Sequence, residues 1–249
     1  MRRIRKLGQC FLSNPRILDM ETFVVSPSGK RIVEIGAGDG RLTERLARTA
    51  AHVYAIEKDL QYVNFLREKF SGYVNVEIIS SDFLHVRPFE TDVIVGNIPY
   101  YISSQVIFRL LDWDFSCAFL MFQREFAQKL TARGKDRSRI SFFADYYFTI
   151  DKVFEVPRHM FIPRPRVDSM LVSITKRNVP PLDQRVASII TYMFQHKLKT
   201  IASLLNHMQK DGIISHFVVP DKLPMDKHLL ELENSEILKI GKEISHYMA

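Results

Sequence analysis

Cysteine is nearly missing from this sequence: Cys10 and Cys117 are too few to staple 249 residues and lack metal-ligand spacing. That excludes a disulfide scaffold and a thiolate-held metal centre, and it predicts a reducing compartment, the cytoplasm, with no metal. Long apolar runs are also absent, so no membrane anchor is expected. The opening Met1-Arg2-Arg3-Ile4-Arg5-Lys6 is basic, but no hydrophobic signal region comes after it. We read it as an arm that touches phosphate. Internal repeats and low-complexity segments are lacking too.

What is present is an apolar content of 46%, enough to fill a core for one large domain with a small appendix. The formal charge of +7, with a pI near 9.4, favours a polyanionic partner. Nucleic acid is the first candidate and an anionic membrane surface the second.

Segments rich in β-branched residues recur at 31–35, 52–56, 74–79 and 92–95, separated by helix-compatible stretches such as 42–47 and 60–70. Strand alternating with helix predicts a parallel α/β sheet covered on both faces. Phe119–Phe122 is a fifth strand running into a helix over 123–133. Past the basic loop 134–139 and another helix come two strands, 147–156 and 167–175, which predict an antiparallel edge. Between them, 157–166 holds too many prolines for helix or central strand and is expected to be an ordered basic loop. Lys176-Arg177-Asn178-Val179-Pro180-Pro181 breaks the pattern and places a boundary between a domain of residues 1–177 and one of residues 178–249. Beyond it, 183–209 and 226–247 have helical spacing, with Asp183 and Ser235 as expected caps.

Ligands of parallel sheets sit beyond the strands' carboxyl ends, so the residues just after each strand carry the functional information. The glycines at 36, 38 and 40 suit a tight turn against which a ligand approaches backbone. A dinucleotide fingerprint would need glycine at 41, where Arg41 stands, and the lysine and hydroxyl of a phosphate-gripping loop are missing. An amino-acid-bearing nucleoside fits better. Glu57, with Lys58 next to it, can accept from ribose hydroxyls or simply start a helix. Asp82 can accept from an exocyclic amine, with Phe83 touching a purine, or cap a turn.

The fourth strand ends in Asn97-Ile98-Pro99-Tyr100. An exocyclic base nitrogen is a weak nucleophile because its lone pair is delocalised into the ring. The Asn97 side-chain oxygen and a backbone carbonyl held out by Pro99 could accept its two protons and restore density, while Tyr100 offers a face for an extruded base. The pattern points to methylation of an aromatic amine. In-line transfer of that kind needs collinear positioning and exclusion of water, and no strong base. Taken alone, the tetrapeptide could also be a proline turn after a strand.

With these motifs in order, the chain resembles the ribosomal RNA adenine dimethyltransferases of the KsgA type, over Leu7 to about Thr175 and more weakly in the tail. Besides the segments above, Leu7-Gly8-Gln9-Cys10-Phe11-Leu12 resembles the family's opening, and Phe161-Ile162-Pro163-Arg164-Pro165-Arg166-Val167-Asp168-Ser169 resembles another of its segments. The resemblance implies a Rossmann-like S-adenosylmethionine-dependent methyltransferase fold: a mostly parallel seven-stranded sheet with an antiparallel edge, plus a small C-terminal helical domain that grips RNA. It makes S-adenosylmethionine the methyl donor and carries over Gln9 and Leu12 as cofactor contacts, beside Gly36, Gly38, Gly40, Glu57, Lys58, Asp82, Phe83 and Asn97. Asn97, Ile98, Pro99 and Tyr100 become the catalytic set. The implied substrate is a pair of adjacent adenosines near the end of small-subunit ribosomal RNA, in a late assembly intermediate. The implied enzyme is a monomer with no stable protein partner.

Departures exist: Cys10 replaces the usual His or Asn, and Phe194-Gln195-His196-Lys197-Leu198-Lys199-Thr200 is less arginine-rich than the family's helix. Basic residues flank the expected rim, and Arg124, Arg133, Lys135, Arg137, Arg164 and Arg166 are candidate phosphate contacts, although such clusters are often only solvated faces. Rival readings are an Erm-type large-subunit adenine methyltransferase conferring antibiotic resistance, a ribosome-assembly binding factor with little catalysis and, more distantly, a nicotinamide dehydrogenase.

Overall fold

The computed structural model describes residues 10–215 and 223–248. The basic opening Met1–Lys6 and the expected cofactor contact Gln9 lie outside the described residues. In chain order the elements are β1 (Phe11–Leu12), α1 (Pro15–Val25), β2 (Arg31–Ile35), α2 (Arg41–Ala47), β3 (His52–Glu57), α3 (Leu60–Lys69), β4 (Val76–Ser80), β5 (Val93–Asn97), α4 (Ser103–Arg109), β6 (Cys117–Gln123), α5 (Arg124–Leu130), α6 (Arg139–Tyr147), β7 (Phe148–Val156), β8 (Phe161–Ile162), β9 (Ser169–Lys176), α7 (Gln184–Gln195), α8 (Ile201–Lys210) and α9 (Asn234–Ser245).

Seven strands form one sheet in the order β4-β3-β2-β5-β6-β9-β7. The first five are parallel, and β9 runs antiparallel to both β6 and β7. The expected antiparallel edge pair is therefore arranged with the later strand inside: β9 wedges between β6 and β7. Strand order reverses between β2 and β5, which are paired with Ile35 opposite Gly96. A crevice opens at such a switch point because the loops beyond it diverge to opposite faces. A Cβ at Gly96 would come within 2.7 Å of the Ile35 carbonyl oxygen, so glycine lets β5 deliver Asn97 close beside the end of β2.

The chain separates into two compact units: the described residues up to Gln128 with Phe148–Lys176, and Lys129–Tyr147 with the described residues from Arg177 onward. Residues 129–147, assigned by sequence to the first domain, thus cluster with the helices. The reason is an aromatic contact joined by a hydrogen bond. Phe142 of α6 meets Phe194 of α7 with ring centroids 5.6 Å apart, and Asp145 accepts from Asn234. In this second unit α7 and α9 approach closely over Gly241, where a Cβ would lie 2.9 Å from Ile190.

Three local expectations are corrected. The helix expected over 183–209 is two helices, broken around His196–Lys199, with Thr200 capping the second by accepting from the Ser203 amide. Asp183 does cap α7, but Ser235 lies inside α9, whose start is closed by Glu236 accepting from the Glu233 amide. The proline-rich connection contains a short strand, β8, paired with β1. Helix α1 escapes the sequence pattern because a buried glutamate, Glu21, sits on its inward face beside Leu18 and Val25.

Candidate active site

The ends of β2 to β5 surround a pocket in the first unit that Leu12, Met121, Phe161 and Ser169 also line. After β2 the chain turns through Gly36, Gly38 and Gly40 at φ of 71°, 55° and 73°, a region unfavourable to side-chain-bearing residues. Added bulk would also collide. A Cβ at Gly38 would meet Phe11 at 2.6 Å, and one at Gly40 would meet Leu66 and Phe70 at 2.7 Å.

Glu57 is 4% exposed at the end of β3. Its Oε2 accepts the Gly38 amide at 2.9 Å, and its Oε1 accepts the Lys58 and Asp59 amides at 2.9 Å each. The acid predicted for a ribose therefore also ties the glycine loop to the start of α3. Asp82 caps the turn at Phe83–His85 through the Leu84 amide and pairs with the Lys58 ammonium at 3.4 Å. The turn-cap reading of Asp82 describes its position, and the residue also lines the pocket. Phe83 lines the pocket from a buried position, stacked on Trp113 at 5.3 Å between centroids.

Beneath the glycine loop lie two more acids. Glu34 accepts from the Thr43 hydroxyl at 2.6 Å, and Glu21 has neither side-chain oxygen paired. Burial raises each carboxyl to about 8, and the neighbouring acids push Glu34 in the same direction.

At the end of β5, the Ile98 amide donates to the Met121 carbonyl, extending the sheet register into the motif. The Pro99 and Tyr100 carbonyls accept from the Ile102 amide and the Ser103 hydroxyl, folding the chain into the turn Tyr100–Ile102. The Tyr100 hydroxyl lies 3.3 Å from Ser169, and burial raises its pKa. Asn97 contrasts with these. Its Oδ1 is buried and has no hydrogen-bond partner, an arrangement that carries a desolvation cost unless a donor arrives.

Leu12, Gly36, Gly38, Glu57, Lys58, Asp82, Phe83, Asn97, Ile98, Pro99 and Tyr100 all line this pocket; Gly40 stands just behind, as the residue before α2. The sequence motifs did not mark Tyr101 or Met121, which also line it, as does Ser169, the last residue of the 161–169 segment. Tyr101 is the next residue after the motif and could have been noticed as a second aromatic; Met121 comes from a strand distant in sequence.

The basic candidates divide. Arg164 and Arg166 are exposed, as are Arg133 and Lys135. Arg124 is surrounded by Glu125, Glu155 and Asp168 at 3.6–3.8 Å. Arg137 is a correction: it is 3% exposed and donates to the Leu232 carbonyl, so its guanidinium serves the second unit's packing and not a phosphate. Among the described residues no cluster of three metal-ligating side chains occurs, and no helix is long and apolar enough to cross a membrane.

A sheet in this order, with a positive-φ glycine loop after β2 and an acid after β3, is the frame of a Rossmann-like methyltransferase. Comparison with known proteins narrows the class. The crystal structure of a dimethyladenosine transferase from Plasmodium falciparum matches with a TM-score of 0.77 at 28% identity, covering 94% of this chain and 98% of that one. The 23S rRNA methyltransferase ErmE matches with a TM-score of 0.65 at 26% identity, covering 94% and 99%. A Methanococcus maripaludis protein named "Probable ribosomal RNA small subunit methyltransferase A" is 38% identical over 82% of this chain and 81% of its own length. The sequence profile of the ribosomal RNA adenine dimethylase family matches residues 2–245, and the chain belongs to that family. It is an enzyme, a ribosomal RNA adenine methyltransferase.

Proposed function

We propose that this enzyme uses S-adenosylmethionine to dimethylate N6 of two adjacent adenosines near the 3′ end of small-subunit ribosomal RNA, acting on a pre-ribosomal small subunit. The observation that carries the reading is Asn97, which lines the same pocket as a glycine loop anchored by Glu57 and whose buried Oδ1 has no hydrogen-bond partner. These residues fit the donor. Gln9, Leu12, Gly36, Gly38, Gly40, Glu57, Lys58, Asp82 and Phe83 would hold it, and when bound it supplies an electrophilic methyl group on a sulfonium sulfur.

Asn97 Oδ1 and the Ile98 carbonyl accept the two protons of the adenine amine, fixing its orientation and raising density on nitrogen. Pro99 sets the direction of the Ile98 carbonyl, and Tyr100 stacks on the extruded base. The buried side chains of Ile98, Ile102, Met121 and Phe161 keep water from the line of transfer. Transfer leaves the nitrogen cationic and strongly acidic, so it sheds a proton to solvent without a dedicated base. The enzyme works as a cytoplasmic monomer without a stable protein partner, and its basic surface positions RNA.

A second reading, large-subunit methylation, is favoured by the likeness to ErmE. The relatives named for the small subunit support the first. The test is incubation with labelled S-adenosylmethionine and separated, unmethylated ribosomal subunits, and then nucleoside analysis. Dimethyladenosine in small-subunit RNA is the expected result. Label in the large subunit alone replaces the reading with the second, and label in neither leaves a binding factor.

A further inference from the structure

Two consecutive tyrosines leave the turn after β5 in different directions. Tyr100 is half-buried with its hydroxyl on Ser169, whereas Tyr101 is 55% exposed at the mouth of the same pocket. An exposed aromatic side chain ordinarily exchanges rotamers, and ordering it on binding costs free energy. Tyr101 is held already. The Lys58 ammonium donates to its hydroxyl at 2.8 Å and to Asp82 Oδ2 at 3.4 Å. One lysine thus ties together the loops after β3, β4 and β5 and holds a ring at the pocket mouth.

A single stacking face serves a single extruded base, and Tyr100 provides it in the function proposed above, on which this inference rests. A second ring, locked in place beside the first and turned outward, calls for a second planar group at the mouth. The nucleotide next to the target adenosine must lie there, since the backbone connects the two. We propose that Tyr101 is a specificity-determining residue that stacks on the nucleotide adjacent to the target, and that Lys58 is the positioning residue that holds the ring for it. Stacking of a base on a protein ring tolerates any base identity, so the contact selects for an unpaired neighbour more than for its sequence.

The test uses the full-length enzyme and small subunits whose RNA carries a ligated 3′ segment, either intact or with an abasic nucleotide beside one target adenosine. Tyr101→Ala is expected to raise KM for intact subunits about tenfold, with kcat and the dissociation constant of S-adenosylhomocysteine each within about twofold. The abasic substrate should raise KM similarly for the wild type and add nothing for Tyr101→Ala. Tyr101→Phe removes the bond to Lys58 but keeps the ring and should raise KM about threefold with S-adenosylhomocysteine affinity unchanged; in a Lys58→Met background, which also loses the Asp82 pair, Tyr101→Phe should add no further rise. Equal abasic penalties in wild type and Tyr101→Ala overturn the stacking assignment, as does a loss confined to S-adenosylhomocysteine affinity; in both cases methyl transfer to small subunits still stands. A wild type that transfers nothing to either subunit overturns the function and this inference with it.

Discussion

On one side of the pocket Glu57 accepts three backbone amides; on the other, the equally sheltered Asn97 Oδ1 accepts nothing. On the glycine-loop side Glu57 has its partners before any ligand arrives, because it accepts the Gly38, Lys58 and Asp59 amides. The acceptor side leaves a hydrogen bond unmade. Burying an unpaired carbonyl oxygen costs roughly 1–3 kcal/mol, and that cost is returned only when a donor such as an amine proton is present. The difference separates a region built for shape from one built for a reaction.

The largest test of the contrast is Asn97→Ala. Methyl transfer should fall by about 10²–10³-fold in single-turnover assays, a size typical of removing one positioned hydrogen-bond group. S-adenosylhomocysteine affinity should stay within about threefold, and thermal stability should hold or rise because an unsatisfied buried oxygen has been removed. Full activity would erase the distinction between the two sides.

Glu57→Ala should behave in the opposite way. Three amides lose their acceptor, so the melting temperature should fall and S-adenosylhomocysteine should bind about tenfold more weakly, both readable by calorimetry. An unchanged melting temperature would show that the glycine loop does not depend on this anchor.

The acids beneath the loop sharpen the comparison through pH. Glu21 stays protonated to about pH 8 in the folded chain and only through the ordinary carboxylate range when unfolded. Folding therefore takes up a proton between those values, and stability is lost as pH rises through that window. Glu21→Leu should raise the melting temperature more at pH 8 than at pH 5, by roughly 2–4 °C per kcal/mol recovered. Glu34, whose carboxyl burial also raises to about 8, retains a dependence of the same sign in the variant. An equal gain at both pH values would mean that Glu21 carries charge in the fold.

The smallest effect is expected at the exposed loop after β8. Arg164→Ala should weaken RNA binding a few-fold at low salt and reduce the slope of log affinity against log salt by about 0.7–0.9, leaving S-adenosylhomocysteine binding unchanged. The same substitution at the buried Arg137 should instead lower the melting temperature, since it removes a bond to Leu232.

Much of this was legible in the sequence because its causes are local. β-Branched runs mark β2 to β5, and glycine at 36, 38 and 40 reports a backbone that a side chain would strain. Asp183 declares the start of α7 by its hydrogen-bonding chemistry. Illegible were features whose partners are distant. Placing β9 between β6 and β7 requires pairing across the chain, the grouping of residues 129–147 with the helices rests on Phe142 meeting Phe194, and the burial of Arg137 depends on Leu232, 95 residues away. Basic character alone could not separate Arg137 from its exposed neighbours, because charge is a property of the residue whereas exposure is a property of the fold.

By itself the sequence determined the chemistry on offer: a glycine turn, two acids and an Asn-Ile-Pro-Tyr end to a strand, each arising from side-chain identity and short-range backbone sterics. Only the tertiary structure decided how those groups are spent. Glu57 is committed to amides, Lys58 to Tyr101 and Asp82, and Asn97 Oδ1 to nothing, because hydrogen bonds are apportioned by distances between strand ends that no local rule contains.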